Sequence, residues 1–480
     1  MSKLHKLILE IFSSGYQIQP DAFQLLESIS ESDAVRLVKL VINSKNVSES
    51  KLITRNDIEK FIDKPAQKDV FDVEEVKCEI NVMSNFTFNE NVVEGIDGYR
   101  FLFSSRFDKL MSIVKQRRDS SQIQKIGSVN SNIIKPTKIA GFIMERKITP
   151  SSTEIVVDDD SGKMTIHAID ASVGKKVSEL LLDQLIIAEI AVNKQNNFFL
   201  KTVYSPDVPD RVASTSKKNA YIIFTSDLHI GSDKFLTVSF EKFLKWISGL
   251  AGDLDVVKKI TCLVFAGDLI DGGYVNQYPT KGFIQQDVFE QYKILLRYLA
   301  VLPKHIKIIL IPGEHDITRR ALPQPAIPEK FVGDLRNTEN IMFLSNPSQF
   351  IVNGVNVISY HGNSLDDVIA STPNQVVSRP AQAMKLLLKA RHLAPQYGGR
   401  TQIAPETEDK LVIEQIPDVF HAGHLHIVDM DSYRGSVILN SGTWQAQTTY
   451  QEIAGVTPTP GIVPVMNLAN LEVTMKSFAS

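Results

Sequence analysis

Tyr221-Ile222-Ile223-Phe224-Thr225-Ser226-Asp227-Leu228-His229 is an apolar, β-rich run that stops at a small residue and then presents a carboxylate and an imidazole. The same succession recurs along the second half of the chain. Thr261 to Ala266 leads into Gly267-Asp268-Leu269-Ile270-Asp271-Gly272, and Ile306 to Ile311 into Gly313-Glu314-His315-Asp316. Val355 to Ser359 leads into Tyr360-His361-Gly362, and Pro417-Asp418-Val419-Phe420 into Gly423-His424-Leu425-His426. Helix-like stretches such as Phe240 to Leu250 and Val288 to Leu302 separate the runs, so the pattern is that of an α/β domain in which each polar motif begins where a strand stops. In such sheets ligands gather beyond the carboxyl ends of the strands.

Read as chemistry, the motifs describe a two-metal phosphoesterase site. Asp227 and His229 stand two apart on a segment expected to be extended, which would turn both to one side to grip one ion. Asp268 can bridge two ions through its two oxygens, and His361, His424 and His426 add imidazoles. Mixed nitrogen and oxygen donors suit manganese, iron or zinc better than magnesium or calcium. Two ions roughly 3.5–4 Å apart can hold a phosphate and activate a bridging water. His315 is then the expected general acid toward the departing oxygen, with Asp271 expected to orient it as a catalytic dyad. An isolated Asp-x-His means little, and a single buried histidine is ordinarily a satisfied core residue. Five motifs in order, each after a strand and beside a glycine or small residue, favour the ligand reading.

Outward from this region the character changes. Residues 1–63 read as a small helical domain, with Leu4, Leu7, Ile8 and Ile11 on one face, Val35, Val38 and Ile42 on another, and Thr54 with Asp57 as a capping box. Residues 64–132 read as a linker carrying one helix, marked by Phe107, Leu110, Met111 and Val114. Residues 133–210 hold five short strands, with a turn at Asp158-Asp159-Asp160-Ser161-Gly162, as in a Greek-key barrel of the oligonucleotide/oligosaccharide-binding type. Residues 211–480 are the α/β domain. The 480-residue chain therefore reads as a multi-domain α/β protein.

A formal net charge of -3 provides no general basic field, so contact with nucleic acid has to come from local patches. Arg319, Arg320, Lys385, Lys389, Arg391 and Arg400 are candidates for a DNA backbone; the competing reading is a helix-like Met384 to His392 run whose basic face packs on a partner or faces solvent. The two cysteines, Cys78 and Cys262, suggest neither a disulfide framework nor a cysteine metal site. Nowhere do 18 apolar residues run together, and no signal peptide is apparent, so the expectation is a cytoplasmic protein with no membrane partner.

The motifs are similar to those of the calcineurin-like metallophosphoesterases, D-x-H, G-D-x-x-D-x-G, G-N-H-D/E, a lone H and G-H-x-H. Longer stretches resemble the small subunits of archaeal family-D DNA polymerases: Ser226 to Ser232, Tyr360-His361-Gly362-Asn363-Ser364, and Met384 to Tyr397 with Arg391-His392-Leu393-Ala394-Pro395. The resemblance covers about residues 100 to 480. It implies a metallophosphoesterase domain of the layered α/β sandwich type and a manganese-dependent 3′–5′ exonuclease, acting on single-stranded DNA ends and proofreading for a large catalytic polymerase subunit. A sliding clamp is a further candidate partner. Carried over by motif, Asp227, His229, Asp268 and His426 would hold one of two divalent ions and Asp268, Glu314, His361 and His424 the other. Glu314 departs from the family's Asn; a third carboxylate would bind cations more firmly but reduce their Lewis acidity. The alternative function is therefore a scaffold subunit with weak or no phosphoesterase activity.

Overall fold

The computed structural model describes residues 11, 16–27, 34, 37–38, 41, 51–62, 77–87, 95–117, 122–130, 135–149, 152–193, 195, 197–272, 287–333 and 338–479. The chain divides into two compact units, Met1–Val73 and Glu74–Ser480.

In the first unit, strands β1 (Gln17–Ile18) and β2 (Leu52–Ile53) pair in parallel, each followed by a helix, α1 (Pro20–Glu27) and α2 (Arg55–Ile62). Ile11, Ala22, Leu26, Leu37, Val38, Val41, Ile53 and Ile58 form its own core. The Thr54 amide donates to Asp57 Oδ2 at 2.9 Å and the Asp57 amide returns a 3.3 Å bond to Thr54 Oγ1, the reciprocal cap expected at the start of α2. Leu4, Leu7, Ile8, Val35 and Ile42 lie outside the described residues.

The second unit opens with β3 (Ile80–Asn85) and α3 (Gly95–Lys115). Both correct the reading of this stretch as a tether. β3 pairs antiparallel with a strand more than 260 residues away, as the edge of a six-stranded sheet. Its sequence, Ile-Asn-Val-Met-Ser-Asn, carries little apolar alternation because an edge strand is held mainly by its backbone ladder. α3 buries Leu102, Arg106, Leu110, Met111 and Val114 and is part of the folded body.

A closed five-stranded barrel follows, made of β4 (Thr137–Ile148), β5 (Thr153–Asp159), β6 (Gly162–Ala168), β7 (Leu185–Val192) and β8 (Phe198–Tyr204), with helix α4 (Ala171–Ser178) between β6 and β7. The order is β4-β5-β6-β8-β7, closed by β7 on β4. Alternate residues such as Ile139, Ile143, Ile155, Val157, Ile166 and Ile190 fill its interior. Leu110, Met111 and Val114 of α3 pack with Ala140, Leu185 and Ile187 of the barrel and with Val412, tying barrel and C-terminal region into one unit.

The remainder is two six-stranded sheets face to face. In the first, β9 (Tyr221–Thr225), β10 (Ile260–Ala266), β11 (Lys307–Ile311) and β12 (Ile341–Phe343) run parallel, and β18 (Ile462–Asn467) and β19 (Val473–Ser477) extend it antiparallel beyond β9. The second has the order β16 (Asp429–Tyr433), β17 (Ser436–Asn440), β15 (Val419–Ala422), β14 (Val355–Ser359), β13 (Ser348–Val352), β3. β14, β15 and β17 are parallel.

Strand alternation sorts the side chains. Ile222, Phe224, Cys262 and Val264 point between the sheets to meet Phe350, Val357, Val419 and Leu439. Ile223, Leu263 and Phe265 point outward under helices α5 (Thr237–Ile247) and α6 (Val288–Ala300). On the far side Ile358, Phe420 and Ile438 lie under α8 (Pro380–Ala390), which follows the shorter α7 (Leu365–Ser371). All the parallel strands of both sheets that carry a motif therefore end on one edge of the sandwich. No helix among the described residues is long and apolar enough to cross a membrane.

Candidate metal centre

The loops leaving β9, β10, β11, β14 and β15 bring the sequence motifs together. Asp227, His229, Asp268, Asp271, Glu314, His315, His361 and His426 fall into overlapping groups whose ligand atoms lie within 4.8 Å of one another. His424 joins them through Nδ1, 3.8 Å from Glu314 Oε1.

The extended segment expected at Asp227-Leu228-His229 is not what forms. Asp227, His229, Asp268, His424 and His426 have φ of 52, 52, 50, 71 and 61°. Non-glycine residues rarely adopt this left-handed region, and they persist there when surrounding contacts fix them. Here the Asp227 amide donates to Gly267 O at 2.9 Å, the His229 amide to Asp268 O at 3.0 Å, and the Trp444 amide to Asp227 O at 2.9 Å. Two glycines make room. A Cβ on Gly267, whose φ is +90°, would sit 2.5 Å from His361 Nδ1, and one on Gly423 would sit 2.6 Å from Asp227 Oδ2.

Partners on the outer side of each ligand leave one atom facing inward. His361 Nδ1 donates to Ala266 O at 2.8 Å, so Nε2 is turned into the cluster, 3.4 Å from Asp268 Oδ2. His229 Nδ1 donates to Asp271 Oδ1 at 2.8 Å, leaving Nε2 facing His426 Nε2 at 3.1 Å and Asp268 Oδ2 at 3.7 Å. Asp227 Oδ2 accepts from Ser226 Oγ and, at 3.0 Å, from the His424 amide. Asp227 Oδ1 and His361 Nε2 remain buried with no hydrogen-bond partner. Such orphans are costly unless something else occupies their lone pairs.

The electrostatics point the same way. Among the described residues, neither Asp227 nor Asp268 is ion-paired with a lysine or arginine; their charged neighbours are histidines. Burial alone would lower His229, His361 and His424, yet the facing carboxylates lift them to about 9, about 10 and about 9. Asp268, despite burial, is held well below the usual carboxylate range by His361 and His315. His426 is lowered, burial outweighing the Asp227 charge. The pocket thus demands positive charge, and donors of nitrogen and oxygen fit a divalent cation there.

The geometry alters several expected roles. The Asp271 carboxylate does not orient His315; it backs His229, with Gln445 Nε2 also 3.3 Å away. His315 is held by the Asp271 main-chain carbonyl instead, 2.9 Å from Nδ1, while its own amide donates to Asp268 Oδ1 at 2.9 Å. The His315 side chain is 41 % exposed, at the mouth of the cluster. Glu314 is also at the mouth, its side chain 45 % exposed.

Of the six basic residues expected to meet DNA, four are committed elsewhere. Arg391 is buried, pushed down to about 10 by that burial, and donates to Ile413 O and Glu414 O at 2.7 Å. Arg319 donates to Pro323 O and pairs with Glu406 at 2.7 Å. Lys385 pairs with Asp431 at 2.9 Å, and Lys389 lies 4.0 Å from Glu179. Arg320 and Arg400 do reach the site. With Glu314, Asn363, Asp366 and His424 they line a cavity of about 120 Å³ beside it.

Several contributors carried no recognisable signal in the sequence. Asp366 Oδ2 lies 3.4 Å from His424 Nε2. Asp316, lifted to about 6 by burial and the Asp268 charge, accepts from the Gly313 and Leu269 amides and from Tyr292 Oη. It fastens two motif loops to α6. The segment after β17 clasps the cluster: Thr443 Oγ1 donates to Asp227 O at 2.8 Å, and Gln451 Nε2 lies 2.9 Å from His426 Nδ1. Asp316 alone had a visible clue, as the last residue of Gly313-Glu314-His315-Asp316.

Comparison with known proteins adds family to geometry. Residues 222–427 match the family model for the B-type subunit of DNA polymerase alpha/epsilon, a span running from β9 through His426. The DNA polymerase II small subunit of Archaeoglobus fulgidus is 32 % identical over 467 residues, covering 94 % of this chain and 93 % of the relative. That of Methanothermobacter thermautotrophicus is 32 % identical over 480 residues, covering 97 % and 98 %. That of Pyrococcus horikoshii is 33 % identical over 423 residues, covering 85 % and 67 %. With identity of this size running almost end to end through a chain that also assembles the polar cluster, the protein belongs to the family of archaeal DNA polymerase II small subunits.

Proposed function

We propose that this chain pairs with a large catalytic polymerase subunit and carries a metal-dependent 3′–5′ exonuclease that hydrolyses DNA phosphodiesters at single-stranded ends, in the manner of a proofreading activity. The observation that carries the reading is the inward-facing set of Asp227, His229, Asp268, His361, His424 and His426, with buried Asp227 Oδ1 and His361 Nε2 unpartnered. In this reading Asp227, His229, Asp268 and His426 hold one divalent ion, most suitably Mn2+, and Asp268, Glu314, His361 and His424 a second. When bound, the ions would polarise a phosphodiester and supply a nucleophilic water at neutral pH.

The side chains do the rest. Asp271 and Ala266 O fix the ring orientations of His229 and His361, so both Nε2 atoms point inward before any ligand arrives. His315, with Nδ1 held by the Asp271 carbonyl, presents Nε2 at the mouth to hand a proton to the departing 3′ oxygen. Arg320 and Arg400 contact the phosphate of the neighbouring nucleotide. The barrel is taken as an oligonucleotide/oligosaccharide-binding fold and the two-sheet body as a metallophosphoesterase domain. A sliding clamp remains a candidate partner.

The purified chain, alone and with its large subunit, is to be incubated with 3′-labelled single-stranded DNA and Mn2+. Wild type should shorten the strand from its 3′ end, and His315→Ala should slow it by roughly 100-fold or more. Equal degradation by both proteins would remove His315 from the chemistry. No degradation by either would leave a scaffold role, for which the third carboxylate at Glu314 would be the reason.

A further inference from the structure

On the polar edge of the sandwich, α9 (Thr449–Ile453) leaves two large apolar side chains uncovered: Tyr450 is 75 % exposed and Ile453 83 %. Three residues apart on one helix, they share a face. The position of that helix is not incidental. Thr448 and Gln451 form a reciprocal cap that fixes its start, and Gln451 Nε2, turned to another side, meets His426 Nδ1 at 2.9 Å. His426 Nε2 in turn lies 3.1 Å from His229 Nε2 and 3.5 Å from Asp227 Oδ1. The uncovered pair is thus one peptide bond away from a residue that touches the cluster.

The opposite end of the cluster has a different chemistry. There His424 and Glu314 border the cavity that Arg320 and Arg400 line. A linear molecule laid across the candidate metal centre would meet guanidinium groups at one end and an aromatic ring with an aliphatic neighbour at the other. Single-stranded nucleic acid has both complements, phosphates for the arginines and flat, apolar base faces for the ring.

We propose that Tyr450, supported by Ile453, is a stacking platform for a base of single-stranded nucleic acid held at this site, so that the chain selects unpaired strands over small phosphodiesters. The inference rests on the hydrolytic reading of the same site. It predicts a binding contribution that does not depend on cleavage.

The full chain, loaded with Mn2+, is to be tested as wild type, Tyr450→Ala, Tyr450→Phe and Ile453→Ser. Affinity for a fluorescent oligothymidylate is read by anisotropy, and hydrolysis is read separately on that oligonucleotide and on bis(p-nitrophenyl) phosphate. Tyr450→Ala should weaken oligonucleotide binding roughly tenfold, the magnitude of one lost base–aromatic stack, and Tyr450→Phe should keep it. Ile453→Ser should show a smaller loss, and hydrolysis of the small diester should be unchanged in all four proteins. Unchanged oligonucleotide affinity in Tyr450→Ala, an equal loss in Tyr450→Phe, or a wild type that does not bind the oligonucleotide would overturn the platform. So would unchanged oligonucleotide binding in Tyr450→Ala accompanied by weaker association with the large subunit, which would make this face a protein contact. Binding that behaves as expected with no hydrolysis of either substrate would overturn the nuclease reading and leave the platform standing.

Discussion

Two buried clusters of histidine and aspartate occupy the same C-terminal region, and they titrate in opposite directions. In one, Asp409 Oδ2 meets Arg106 Nε at 2.7 Å and His392 Nε2 at 3.0 Å, while His392 Nδ1 accepts from the Ala394 amide. Burial, with the Arg106 charge beside it, pushes His392 down to about 4. Against the cost of burial, Arg106 and His392 hold Asp409 well below the carboxylate range. In the other, around Asp227 and Asp268, no lysine or arginine pairs with the carboxylates among the described residues, and three histidines rise to about 9 or 10 instead. Both clusters need a cation. α3 delivers one as a guanidinium, whereas the metal-free edge cluster can only recruit protons. One arrangement is therefore complete as a structural joint, and the other is organised to receive something.

The largest expected effect breaks the complete cluster. Arg106→Met should cost about 3–5 kcal/mol, because it strands the Asp409 charge in the interior. The double variant Arg106→Met, Asp409→Asn should recover much of that loss, since it leaves no lone charge. Urea unfolding followed by circular dichroism reads both. A loss below about 1 kcal/mol for the single variant would mean that α3 is not anchored through this pair.

Acid and alkali should separate the clusters next. With a folded pKa of about 4 against 6.5 unfolded, His392 binds fewer protons in the native state between those values. Its contribution is present above pH 6.5 and is lost as pH falls toward 4, amounting to about 3 kcal/mol. His229, His361 and His424 behave oppositely in the metal-free chain. Raised from 6.5 to about 9, about 10 and about 9, they stabilise fully below pH 6.5 and lose that contribution as pH climbs through 9 to 10. His392→Gln should flatten the acid limb of a stability–pH curve measured in EDTA. Added Mn2+ should remove the alkaline limb and release protons on binding at neutral pH, which calorimetry in buffers of different ionisation enthalpy detects. An alkaline limb that Mn2+ leaves in place would separate the raised histidines from cation binding.

A direct attack on the incomplete cluster comes third. Asp268→Asn removes the carboxylate that His229, His315 and His361 all face, and Mn2+ affinity should fall by roughly 100-fold. His361 should then titrate lower, because its principal charged partner is gone. Retained stoichiometric Mn2+ in this variant would place the cation elsewhere.

Much of this was legible in the residues, and the remainder was hidden for identifiable reasons. Apolar runs ending in Asp, His or Glu marked the strand ends, because a buried parallel strand must be apolar throughout while its loop is free to be polar. Ile80–Asn85 was not legible, since an edge strand is specified by a partner found only in the tertiary fold. Asp271 was rightly placed near the cluster but given the wrong partner: spacing fixes proximity, whereas the left-handed turns at Asp268 and His229 decide which atoms meet. Arg391 looked like a surface cation because its helix is amphipathic on paper. The left-handed conformation that closes α8, φ 56°, sends its side chain into backbone carbonyls instead. Gln445 and Gln451, which brace Asp271 and His426, belong to no motif.

The smallest expected effect sharpens the division between structural and functional cations. Lys385 is partly exposed and pairs with Asp431, its ammonium 5.4 Å from the Tyr433 ring centre, so its removal should cost below about 1 kcal/mol of stability. Arg400, 74 % exposed beside the cavity, should matter even less to stability. Their effects on nucleic acid should be reversed. Arg400→Ala should lower oligonucleotide affinity a few-fold and reduce the slope of log affinity against log salt by roughly one, as loss of one phosphate contact does. Lys385→Ala should leave both quantities unchanged, because its charge is already answered by Asp431. A salt slope that falls for Lys385→Ala and not for Arg400→Ala would move the nucleic-acid path away from the cavity and onto the outer face of α8.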